Sequence, residues 1–203
     1  MSHATFASRQ FVLATGNAGK LKEFRELLAG SGFEVEAQSQ FAVPEAEESG
    51  LSFVENAIIK ARNAARHSGR PAIADDSGLE VDALDGAPGI YSARFAGANA
   101  SDADNNSKLL LQLRDVPENL RSARYQCVLV FMRHATDPSP LICQASWEGR
   151  ILDAPRGSGG FGYDPLFWLP TLNCTAAELD ADEKNRRSHR GRAMRALLAA
   201  LTR

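Results

Sequence analysis

The chain has 203 residues, of which 44% are hydrophobic and 24% charged, with a formal net charge of -2 and a pI near 6.1. Length and composition fit one domain with a substantial core. The charge balance excludes a chain-wide attraction to nucleic acid, so any bound anion has to be held by local cations. Cys127, Cys143 and Cys174 are far apart and form no C-x-x-C pair, which excludes the zinc and redox motifs of that spacing and predicts buried free thiols in a reducing compartment. The first ten residues are polar and no apolar stretch reaches spanning length, so a soluble, cytoplasmic protein without a membrane partner is expected.

Residues 11–14 predict a first strand. A glycine-containing turn follows, and Leu21, Phe24, Leu27 and Leu28 then recur at helical spacing before Gly30 and Gly32. Strand, turn and helix in that order aim a helix N-terminus at an anion. Residues 34–37 predict a second strand, and residues 44–50 an acidic turn. Ser52 and Glu55 form a capping box that opens a helix running to about His67, with Gly69 as its stop. On that helix Asn56, Lys60 and Asn63 make one polar stripe, and Ala57, Ile58, Ala61 and Ala64 fall on the buried side.

Residues 71–74 predict a short strand, Asp75, Asp76, Ser77 and Gly78 a turn, and residues 79–84 a half-buried strand. A helix carrying Leu109, Leu110 and Leu113 begins near Ser101. Residues 124–133 and 141–151 predict a long antiparallel hairpin. Thr175 and Glu178 form another capping box, and a last helix starts at Ser188. The interspersed elements with a long hairpin predict an α/β fold with a mixed sheet.

Three blocks carry chemistry. Thr15, Gly16, Asn17, Ala18, Gly19 and Lys20 offer turn N–H groups, a helix N-terminus and a lysine to phosphate oxygens. The glycine spacing and Leu21 after the lysine exclude a Walker A loop. The same residues also read as a plain strand–helix turn capped by Asn17. Asp75 and Asp76, with Glu47 or Glu48 in support, offer the carboxylates that a magnesium ion prefers. They equally suit a solvated turn, and Glu55 is explained by its capping box. Phe161 and Tyr163, in the glycine-rich run 157–162, could stack a base or plug the core. The basic run 184–195 holds Lys184, His189 and Arg190; it suits a solvated face or a nucleic-acid patch. With a helix starting at Ser188, His189 and Arg190 lie in a first turn, where they suit an anion or a carbonyl oxygen.

Taken together, these blocks resemble the inosine/xanthosine triphosphate pyrophosphatases. The resemblance runs from about Phe11 to Leu201. It rests on residues 15–20, 52–61, 74–79 with 88–94, 159–165 and 183–190. It implies an elongated mixed sheet flanked by helices, two lobes with the active site in the cleft between them, and one domain over 1–203 with residues 1–10 as a flexible extension. It further implies a homodimer, magnesium, and hydrolysis of ITP, dITP or XTP to the monophosphate and pyrophosphate. Carried over by motif, Thr15, Gly16, Asn17, Ala18, Gly19, Lys20 and Lys60 would hold the triphosphate and Ser77 would touch substrate. Asp76 would be the proton acceptor and a metal ligand, with Glu48 and Asp75 close to the metal. Phe161, Gly162, Tyr163, Asp164, Lys184, His189 and Arg190 would form the base pocket. The rival readings are a pyrophosphatase for another modified nucleotide and a non-enzymatic nucleic-acid-binding module.

Overall fold

The computed structural model describes residues 9–202. Residues 1–8 of the expected extension lie outside them, and Gln10 already belongs to the first strand. The strands are β1 (Gln10–Ala14), β2 (Glu34–Ala37), β3 (Ala72–Val81), β4 (Ser122–Met132), β5 (Leu141–Ile151), β6 (Phe167–Leu169) and β7 (Cys174–Thr175). The helices are α1 (Ala18–Leu28), α2 (Phe53–Ser68), α3 (Asp102–Leu113), α4 (Ala181–Arg187) and α5 (His189–Leu201). The strands form one sheet in the order β2-β1-β3-β4-β5-β6-β7. β1 runs parallel to β2 and β3, whereas β6 is antiparallel to β5 and β7. This is the mixed sheet that the sequence predicts.

The chain divides into two compact units. The first takes in the chain up to Asp76, Cys127–Ala145 and the residues from Arg190 onward; the second takes in Ser77–Gln126 and Ser146–His189. In the first unit, side chains alternate along each strand, so one strand feeds two cores. Leu13, Ile73, Cys127, Leu129 and Phe131 pack with Phe24 and Leu28 of α1 and Met194 and Leu197 of α5. Val12, Ala14, Ala72, Ala74, Val128 and Val130 pack against Ala57, Ala61, Ala64 and Ala65 of α2. The second unit has its own core, built around Leu79, Leu109, Tyr125, Trp147, Tyr163 and Phe167.

One sequence expectation is corrected. Residues 75–78 are not a turn: β3 is unbroken from Ala72 to Val81. Aspartate and glycine are poor strand formers, but tertiary contacts override such preferences, and here buried ion pairs hold the two carboxylates. The last helix begins where expected, directly after Ser188, but the basic run that includes its first turn starts earlier. It belongs to α4, whose N-cap Asp180 accepts from the Glu183 N–H, and to α5, with Ser188 as the C-cap between them. The capped helix from Ser52 to Gly69 is as expected: the Ser52 side chain accepts from the Glu55 N–H, and Gly69 closes it in the left-handed region at φ 66.

The buried apolar residues of α2 are all alanines, Ala57, Ala61, Ala64 and Ala65, with Phe53, Val54 and Ile58 packed at the margin, so a longer side chain among the alanines presses on the sheet. Ala61 is fully buried. Ala61→Leu is expected to cost about 1–3 kcal/mol through overpacking, read as a lower urea midpoint. It is also expected to reduce activity, because Lys60 is the neighbouring residue on the same helix.

Candidate active site

β3 presents two adjacent carboxylates to opposite faces of the sheet. Asp75 follows Ile73 onto the face covered by α1 and α5, and Asp76 follows Ala74 onto the face covered by α2. Each meets its own cation. Asp75 pairs with Lys20 of α1 through Oδ1, and its Oδ2 accepts from Arg190 Nε of α5 at 2.8 Å and from the Cys127 thiol at 3.3 Å. Asp76 Oδ1 accepts from Lys60 Nζ of α2 at 2.5 Å, and the same ammonium donates to Glu48 Oε1 at 3.0 Å.

The two environments separate the two acids electrostatically. Burial alone would raise the Asp75 pKa, but Arg190 and Lys20 outweigh it and hold the carboxyl well below the usual range. For Asp76 burial prevails over the attraction of Lys60 and, more weakly, Lys20, so its pKa is raised. The Lys60 pKa is also raised, because Asp76 and Glu48 outweigh its desolvation. Asp76 Oδ2 is buried and has no hydrogen-bond partner. A buried carboxylate oxygen without a donor is costly unless a ligand or cation completes it.

The turn after β1 leads into α1. Thr15 Oγ1 accepts from the Asn17 N–H at 3.1 Å, and Asn17 Oδ1 caps the helix by accepting from the Lys20 N–H at 3.0 Å. Ala18 and Gly19 open α1, and N–H groups at those positions have no acceptor within a helix. A Cβ on Gly16 would come within 2.6 Å of Glu45 Oε1, so the acidic segment of residues 44–50 lies against this turn.

The aromatic set belongs to the second unit. Asp164 is buried; its Oδ1 accepts from the Tyr125 hydroxyl at 3.2 Å, and its Oδ2 from the Phe161 N–H at 2.9 Å and from Lys184 Nζ at 2.6 Å. The Lys184 ammonium stands 4.8 Å over the Phe161 ring. The His189 ring is stacked on Tyr125 at 4.7 Å with an interplanar angle of 12°. The Gly162 carbonyl accepts from Asn106 Nδ2 at 2.9 Å, and its N–H donates to Asp102. Ser77 is half-buried.

Tyr163 and Arg190 are both held inside the protein. Tyr163 is a core side chain whose hydroxyl donates to the Ser92 carbonyl at 2.8 Å, so its ring plugs the second unit. Arg190 is buried with Asp75 and pairs with Glu23 of α1. Asp75 itself has both oxygens engaged by these cations and the thiol, which suits a counter-ion rather than a metal ligand. Tyr125 and Glu23 were missed from the sequence, and Cys127 was read only as a buried thiol. Glu23 lies three residues after Lys20 and so on the same helix face, the one sequence signal that could have marked it.

A model of the Ham1 family matches residues 11–200. A dITP/XTP pyrophosphatase of Vibrio cholerae is 61% identical over 193 residues, covering 95% of this chain and 96% of that one. A dITP/XTP pyrophosphatase of Thioalkalivibrio sulfidiphilus is 63% identical, covering 95% and 98%. The chain belongs to the Ham1 family. Among solved structures, a HAM1 protein from Coxiella burnetii superposes with a TM-score of 0.88 at 51% identity, covering 95% of this chain and 98% of its own.

The buried Asp75 pairs give a test of their role. Asp75→Asn leaves Lys20 without its buried counter-charge and Arg190 with Glu23 alone, and is expected to destabilise the fold by about 3–5 kcal/mol, measured by chemical denaturation. Because the folded-state pKa of Asp75 is depressed, its contribution is complete above the unfolded value of about 3.9. It is lost as pH falls through the lower folded value. The difference between variant and wild type is therefore expected to be full at neutral pH and to shrink only in strong acid.

Proposed function

We propose that this protein hydrolyses non-standard purine nucleoside triphosphates, dITP, ITP and XTP, to the monophosphate and pyrophosphate, and so clears them from the nucleotide pool. What carries the reading is that relatives 61% and 63% identical across 95% of this chain are dITP/XTP pyrophosphatases. In this proposal residues 15–20 and Lys60 hold the triphosphate, by turn N–H groups and by ammonium groups. Phe161, Gly162, Asp164, Lys184 and His189 hold the base, and Ser77 touches the substrate. Tyr163 supports that loop from the core, and Arg190 acts through Asp75.

Magnesium is part of the proposal. Asp76 and Glu48 fit it: they share one ammonium, Asp76 keeps a buried oxygen without a partner, and a hydrated magnesium ion needs only one or two carboxylates besides phosphate oxygens. Among the described residues no group of three or more His, Cys, Asp or Glu is clustered as a metal site, so phosphate oxygens would complete the shell. When bound, the ion would neutralise phosphate charge and make water more acidic.

The chain's own groups then do the following. Water attacks the α-phosphorus, the bond from that phosphorus to the oxygen bridging to the β-phosphorus breaks, and pyrophosphate leaves with the bond electrons. Asp76 orients the water and accepts its proton. Lys60 and Lys20 stabilise the negative charge that develops on the leaving group. Donors facing the 6-oxo group of hypoxanthine or xanthine would face the 6-amino group of adenine unpaired, which discriminates strongly. The proposal also takes the working form to be a cytoplasmic homodimer and the domain to span residues 1–203.

Pyrophosphate release from dITP and XTP is expected to exceed that from dATP and dGTP by orders of magnitude in kcat/KM, and to stop when magnesium is chelated. Equal turnover of dATP would remove the proposed substrate class. Asp76→Asn is expected to lower kcat by about 10²–10⁴ while dITP binding persists, checked by single-turnover kinetics and calorimetry.

A further inference from the structure

The polar stripe of α2 is not a solvated face. Asn56, Lys60 and Asn63 each grip the acidic segment of residues 44–50, one contact per helical turn. Asn63 Nδ2 donates to the Pro44 carbonyl at 2.7 Å, Lys60 Nζ to Glu48 at 3.0 Å, and Asn56 Oδ1 accepts from the Gly50 N–H at 2.9 Å. Just beyond the segment, Glu55 Oε2 in the first turn of α2 accepts from the Leu51 N–H at 3.0 Å. Gly50 sits so close that a Cβ there would come within 2.7 Å of Asn56 Oδ1. Asn56 is fully buried.

We propose that Asn56 and Asn63 are positioning residues that clasp residues 44–50 to α2 and so present Glu48 beside Asp76 for a divalent cation. The inference rests on the functional reading above, in which Glu48 and Asp76 hold that cation. Its logic is electrostatic. Glu45, Glu47 and Glu48 crowd into this segment. Glu45 reaches the turn at Gly16, and Glu48 bears on Asp76 as a like charge. Without a cation these acids repel one another and the segment tends to lift. A clasp of lysines would hold the segment but neutralise the charge that a cation needs. Two carboxamides hold it by its backbone and add no charge. Lys60 is the single cation in the stripe, and it already serves both carboxylates.

The test is Asn63→Ala, a change on a half-buried helical position that suits alanine. Hydrogen exchange on the metal-free, nucleotide-free protein is expected to accelerate at the amides of residues 45–50, with an unchanged melting temperature. Manganese affinity of the nucleotide-free protein, by electron paramagnetic resonance, is expected to weaken about tenfold. The magnesium concentration for half-maximal dITP turnover should rise in parallel, while KM for dITP at saturating magnesium stays near the wild-type value. Asn63→Gln, which keeps a carboxamide donor, should recover part of the loss. Unchanged exchange at residues 45–50, or unchanged manganese affinity, overturns the inference. A wild-type protein that leaves dITP intact overturns the functional reading instead, and the exchange measurement still reports on the clasp.

Discussion

The alternation of side chains along β3 is the constraint on which the first unit turns. A strand turns consecutive residues to opposite faces, so two neighbouring aspartates cannot share one environment. One is locked among Lys20, Arg190 and Cys127, with its carboxyl held well below the usual range. The other meets Lys60 and Glu48 and keeps a buried oxygen without a donor. The first arrangement is that of a strut; the second leaves one acid oxygen unsatisfied. The strut ties α1 and α5 to the sheet through a single carboxylate.

Much of this was legible in the sequence, and for identifiable reasons. The α2 helix announced itself by a capping box at one end and a glycine at the other, with alanines at helical spacing between them. The turn before α1 was legible from Asn17, whose side chain caps the helix. The resemblance singled out Asp76 and Lys60, which the structure pairs. What failed was the stretch 75–78. Two acids, a serine and a glycine carry every local mark of a turn, and only contacts from residues 20, 60 and 190, remote in sequence, make it a strand.

The second unit was less legible. The aromatic pair at 161 and 163 looked alike in the sequence, yet neighbouring positions send one ring under Lys184 and the other into the core. Tyr125 gave no sign at all, because a tyrosine in a β-rich run reads as ordinary core. Its second role, a hydroxyl on Asp164 and a ring under His189, depends on residues 39 and 64 positions away. The short helix α4 was missed because seven mostly charged residues carry no apolar period.

One further consequence concerns Cys127. Its sulfur is buried against Asp75, and burial together with that carboxylate pushes the thiol pKa well up. The thiolate is the form that oxidants and alkylating agents attack. A sulfur kept protonated at the foot of the strut is thereby chemically quiet, so the acid that anchors the two helices also shields its nearest reactive atom from damage.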